Sequence, residues 1–281
     1  MKAPVALGVL LAVAGCQRGP AEGVARPPDP AAVEAALAEG DTAWAGRDRS
    51  ADLAVALAAW RRAAAAHPGA PGAELRLARG EGFRALASQL PAEALAGHEA
   101  SSRAAERALR TLSPGFARAV DQGRPLAEAA ALVEASGAEP LYWLALGRMG
   151  VARGTGPAAV LAVKDPALIL MARAAALDER LEAGGPLRAL GAWSAMLPSA
   201  AGGGVGPARA WFARAAQLFP DEPWRRVEEA RTLAVLEQDL PSFERLLGEV
   251  LAAPPAAERG PEQSLARRQA REWLDKKARL F

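Results

Sequence analysis

The stretch "ARAWFARAAQLFP", Ala208 to Pro220, sets a small residue at Ala208, a large one at Phe212, a small one at Ala215 and a proline at Pro220. At about 3.6 residues per turn the first three share one helix face. A neighbouring helix can then come close over the alanines while the phenylalanine fills the gap, and the proline ends the helix. Ala56, Trp60, Ala63 and Pro68 repeat the spacing without insertion or deletion. Ala167, Met171 and Ala174 give it again with Glu179 at the proline position, and Phe243, Leu247, Val250 and Pro255 keep it with bulkier side chains.

This small-large-small spacing resembles the second helix of a tetratricopeptide unit, and the starts at Ala167, Ala208 and Phe243, 41 and 35 residues apart, lie near the ideal of about 34. Each unit needs a first helix, and Val33–Trp44, Leu141–Ala152, Leu187–Leu197 and Val227–Glu237 supply candidates. One more pair, Glu74–Leu90 and Glu93–Leu112, is helical by alanine content and periodicity alone. Ser264–Leu280 reads as a final helix with Ala266, Ala270, Trp273 and Leu274 on one face, a cap for the array. No segment alternates apolar and polar residues over a strand's length. The prediction is an all-α protein of tetratricopeptide-like helical hairpins, stacked as a solenoid or a compact array over residues 31–281.

Composition agrees with close helix packing, since half of the 281 residues are apolar while aromatics are only 5%. The formal net charge is +2, with basic and acidic residues interleaved along the chain, so no electrostatic footprint for nucleic acid stands out.

The first residues, "MKAPVALGVLLAVAGC", place a lysine, a short apolar run and small residues ahead of the single cysteine, Cys16. That is the layout of a secretion signal, with a run shorter than the roughly 20 residues a membrane span takes. The ending Val13, Ala14, Gly15, Cys16 resembles a bacterial lipobox, which implies cleavage after residue 15 and a lipid on Cys16. Residues 16–30, with prolines and no apolar period, read as a flexible tether. The expected location is the periplasmic side of a bacterial membrane, with Gln17 after the cysteine leaning toward the outer one.

The glycine run "GGGVGPAR" ahead of Ala210 raises the question of a phosphate loop. A P-loop ends in Gly-Lys-Ser or Gly-Lys-Thr after a strand, whereas Pro207 and Ala208 stand here after a helical segment. The run reads as a stop signal followed by a helix start. His67 and His98 have no metal-ligand spacing and read as structural, and the carboxylates Glu228, Glu229 and Asp239, with arginines at helical distances, read as a solvated face. No residue is singled out for catalysis, metal or cofactor.

Among the aromatics, Tyr142 and Trp143 adjoin, so they point about 100° apart on a helix and cannot face the same neighbour. With Trp193 and Trp211 they are the candidates for a groove or partner surface.

From Pro140 onward the sequence resembles the T-component (TatT) lipoproteins of TRAP transporters, on "LYWLA" at Leu141–Ala145, "ARAAALDE" at Ala172–Glu179, "LGAW" at Leu190–Trp193, "GGGVGPARAWFARAAQLF", "DLPSFERLLGEVL" at Asp239–Leu251 and "ARRQAREWLDKKARLF" at the end. The chain departs from the apolar run expected after "LYWLA" at Gly147 and Arg148. The resemblance implies a non-enzymatic, lipid-tethered periplasmic accessory of solute uptake that docks a TRAP substrate-binding protein and offers a cavity for a small hydrophobic or organic-acid ligand. Self-association stays open. The alternative is a lipoprotein scaffold for outer-membrane or envelope assembly that handles no solute.

Overall fold

The computed structural model describes residues 29–256 and 259–281, and the signal, lipobox and Cys16 readings lie outside them. The described residues are helical throughout, with no strand among them. In chain order the helices are α1 (Pro30–Trp44), α2 (Ser50–Ala66), α3 (Pro71–Ala87), α4 (Pro91–Leu112), α5 (Pro114–Asp121), α6 (Leu126–Ala131), α7 (Ala138–Thr155), α8 (Pro157–Leu177), α9 (Leu181–Met196), α10 (Val205–Leu218), α11 (Pro223–Glu229), α12 (Leu240–Ala252) and α13 (Gly260–Asp275). Proline stands in the first turn of most of them, where its missing amide would have had no partner and its fixed φ already suits a helix.

The small-large-small triplets pack as their spacing requires. Ala56, Trp60 and Ala63, Ala167, Met171 and Ala174, Ala208, Phe212 and Ala215, and Phe243, Leu247 and Val250 are all at most 1% exposed. They pin α1 to α2, α7 to α8 and α9 to α10, and they seat α12 on α11 and α13. The pair without the triplet, α3 and α4, packs as a hairpin as well, and α4 lies against α7. Gly147 explains the break after "LYWLA": a Cβ there would come within 2.7 Å of the His98 carbonyl oxygen, so α4 can cross α7 only at a glycine. The short helices α5 and α6, which periodicity does not announce, bridge α4 and α8.

Two elements differ from the sequence expectation. The helix expected over Val227–Glu237 is α11 widened into a π-helical turn at Ala230–Ala234. The one expected from Leu187 begins earlier, behind a turn in which Glu182, Ala183 and Gly184 are all left-handed, with φ of 49°, 52° and 77°. Such a conformation costs an L-residue roughly 1–2 kcal/mol. It is held by Arg188, whose Nη1 donates to the carbonyls of Glu182 and Ala183 at 2.8 Å each.

The glycine run behaves as a stop and start signal. Gly202 is left-handed, and the amides of Gly202, Gly203 and Gly204 donate to the carbonyls of Ser199, Pro198 and Ser194 at 3.0, 3.2 and 2.8 Å. With these amides spent on closing the turn after α9, none of the three is left to cradle a phosphate.

The final helix has the polar outer side of a cap, with Ser264, Arg271 and Asp275 exposed, and its other face does more than cap. Its Glu262, Gln263, Leu265, Ala266 and Ala270 are buried, and its side chains reach back to the beginning of the chain. Glu262 binds Arg47, and Arg268 donates to the Ala87 carbonyl at 2.6 Å. The array thereby closes upon itself around an interior chamber.

Candidate functional site

The chamber is built by the inner helices α1, α3, α7, α9, α11 and α13. Its outer lobe, about 300 Å³, is walled by Trp44, Phe83, Tyr142, Trp143 and Trp224 and carries Arg47, Arg79, Arg188 and Arg259 with Glu182 and Glu262. Leu86, Tyr142, Arg188 and Trp224 also line a narrower inner lobe of about 90 Å³ with Leu146, Met149 and Trp193. Beyond it, His98, Gly150, Arg153, Glu228 and Arg231 open into a third space of about 490 Å³.

Tyr142 and Trp143 show how adjacent residues share this wall. They point to different neighbours, Tyr142 onto Gly185 of α9 and Trp143 onto Gly82 of α3, where a Cβ would come within 2.9 and 2.6 Å of their rings. Their rings still meet edge to face, centroids 4.8 Å apart, a favourable arrangement for the aromatic quadrupole. Burial holds the Tyr142 hydroxyl well above the usual phenol range, so it stays a neutral hydrogen-bonding group at the junction of the two lobes.

The arginines differ in what occupies them. Arg47 makes a two-point pair with Glu262 and lies over the Trp44 ring at 4.6 Å. Arg188 braces the left-handed turn and sits 4.0 Å from Glu222, and Arg259 is 3.6 Å from Glu182 and 3.7 Å from Glu222. Arg79 also lies over the Trp44 ring, 4.9 Å from its centroid, and has no ion pair or hydrogen bond among the described residues. In the inner part, Arg231 pairs with Glu228, while Arg153 stands beside them with no ion pair among the described residues. The protein around Arg153 and the charge of Arg231 hold its pKa below the usual arginine value. Burial, with Arg153 adding to it, depresses His98 to about 4, so the ring is neutral near pH 7.

Of the sequence candidates, Tyr142, Trp143 and Trp193 converge on the chamber. Trp211 lies half-buried on α10 and lines none of its lobes. Glu228 does not belong to a solvated face, as the sequence reading expects, because it pairs with Arg231 on the wall of the third space. Asp239 accepts from the Ser242 amide at 3.0 Å and caps α12. Sequence reasoning misses the chamber arginines. Arg79 follows Trp44 by a whole helix hairpin, and nothing in its local pattern marks it as inward. Among the described residues no group of three or more histidines, aspartates and glutamates could hold a metal, and no helix is long and apolar enough to cross a membrane.

A comparison with curated proteins finds no match. A family model described as TRAP transporter T-component matches residues 89–281, more than half of the chain, taking in α4 through α13 and with them most of the chamber wall. The chain therefore belongs to the family of TRAP transporter T-components.

Proposed function

We propose that this TRAP component is a non-enzymatic accessory of solute uptake, tethered by a lipid on Cys16 to the periplasmic side of a bacterial membrane, most consistent with the outer one. It docks a TRAP substrate-binding protein and accommodates a small ligand in its chamber. The observation that carries the reading is the chamber itself: a space of ligand-binding size, aromatic on its walls and supplied with a few convergent polar groups, which is the usual make-up of a small-molecule site. An envelope-assembly scaffold needs an open concave face instead, and here α13 closes back on Arg47.

The test is affinity capture of the full-length protein from membranes of its own cells, with the captured proteins and any retained small molecules both identified by mass spectrometry. Recovery of a TRAP substrate-binding protein is expected. Recovery of assembly factors alone would overturn the reading. In the same cells Cys16→Ala is expected to move the protein from the membrane to the soluble fraction.

A further inference from the structure

Resting on the chamber as a ligand site, we propose that its outer lobe selects a planar aromatic carboxylate, with the acid group on Arg79 and the ring system among Trp44, Phe83, Tyr142 and Trp143.

Four facts converge on this class. The lobe is cationic in excess, holding Arg47, Arg79, Arg188 and Arg259 against Glu182 and Glu262. Three of the four guanidinium groups are occupied: Arg47 by Glu262, Arg188 by two carbonyls, Arg259 between Glu182 and Glu222. Arg79 alone of the four has neither an ion pair nor a hydrogen bond among the described residues; its Nε is buried without a partner, as is that of Arg259. A half-buried guanidinium without a carboxylate partner favours an anion with two coplanar oxygens. The nearby carboxyl groups make no hydrogen bond to it. Asp41 is engaged in two bonds to Arg76 at 2.7 and 2.8 Å, and burial pushes Glu139 upward although the Arg79 charge acts against that rise.

The rest of the lobe sets the shape. Trp44 is held by cation–π contacts to both Arg47 and Arg79, at 4.6 and 4.9 Å, which ties the aromatic lining to the guanidinium that lacks a carboxylate partner. Phe83 meets Trp44 edge on at 5.6 Å, and Tyr142 and Trp143 meet edge on at 4.8 Å. Aromatic rings already held by one another give a rigid lining, which suits a rigid aromatic guest better than a flexible chain.

The experiment is titration calorimetry of the purified full-length protein with three probes: naphthalene carboxylate, its neutral amide, and octanoate, which carries the same charge on a flexible chain. Naphthalene carboxylate is expected to bind about tenfold or more tightly than either other probe. Arg79→Gln is expected to abolish its preference over the amide, with helical circular dichroism unchanged, and Arg79→Lys to weaken binding through loss of the fork. Arg103→Gln, on an exposed pair with Glu99, is expected to leave binding as it is. Equal binding of the acid and its amide, equal binding of octanoate, undiminished binding by Arg79→Gln, or no binding of the naphthalene acid overturns the assignment. A neutral apolar molecule retained in the chamber through purification would also overturn it while leaving the chamber reading intact. Binding of the acid by a protein that captures no substrate-binding protein would support this inference and sink the docking instead.

Discussion

Arg47 and Glu262, 215 positions apart in sequence, meet in a two-point ion pair with Nε to Oε1 at 2.9 Å and Nη2 to Oε2 at 2.5 Å, both side chains about nine-tenths buried. This contact joins the first helical hairpin to the last helix. Removing one partner leaves the other charge buried and unpaired, at a cost of about 3–5 kcal/mol. Glu262→Gln or Arg47→Met is therefore expected to lower the urea midpoint sharply. The double change Arg47→Met with Glu262→Leu is expected to recover most of the loss, since two apolar groups of similar volume need no pairing. Equal losses in the single and double variants would show that the pair does not hold the ends together.

The crossing of α4 over α7 predicts opposite signs for two glycine substitutions. At Gly147 a Cβ would meet backbone, the His98 carbonyl at 2.7 Å, and backbone cannot turn aside. Gly147→Ala is expected to cost about 1–3 kcal/mol by overpacking. At Gly248, within α12, a Cβ meets nothing within 4 Å. Gly248→Ala is expected to stabilise by about 0.5–1 kcal/mol, because glycine has more conformational freedom to lose in a helix. Thermal melting of the two variants beside the parent decides it.

His98 gives the molecule a pH dependence whose sign is fixed. Its pKa falls from 6.5 to about 4 on folding, so between those values the unfolded chain binds the extra proton. Its contribution is complete above about pH 6.5 and is lost as the pH falls through the folded value near 4. Because the ring is only partly buried and edges the chamber, the loss is on the order of 2 kcal/mol. His98→Gln is expected to flatten the change in urea midpoint between pH 7 and pH 5. An unchanged slope would remove His98 as the cause.

The left-handed turn at Glu182–Gly184 stores strain beside the chamber. Ala183→Gly is expected to raise stability by about 1 kcal/mol, the relief of the backbone outweighing the added freedom of the unfolded chain. Arg188→Met removes the donor that holds the carbonyls of Glu182 and Ala183, and is expected to cost about 1–3 kcal/mol. Denaturation curves for the two variants should shift in opposite directions.

The hairpins are legible in the sequence because burial by close packing leaves a periodic mark. Ala208, Phe212 and Ala215 must recur at helical spacing if a second helix is to lie over them, and they do so with no exposed member. The closure of the array leaves no such mark, since Arg47 and Glu262 are one pair and their local contexts are ordinary. The inward aim of Glu228 and Arg231 is hidden for a related reason: a carboxylate and an arginine three residues apart pair equally well on either side of a helix, and the π-turn that carries Arg231 has no signature in "ARTLA". The aromatics are half legible. Periodicity shows that Trp193 and Trp211 are packed, but only the placement of α9 inside and α10 outside puts the first on the chamber and leaves the second away from it.

A row of stacked units ordinarily frays from its two extremities, because each terminal unit has a neighbour on one side only. Here α1 and α13 serve as neighbours to one another through Arg47 and Glu262, so neither extremity is free to peel away by itself. Amide protons in the first and last helices should then exchange with solvent together, in one shared opening, although they belong to opposite ends of the polypeptide.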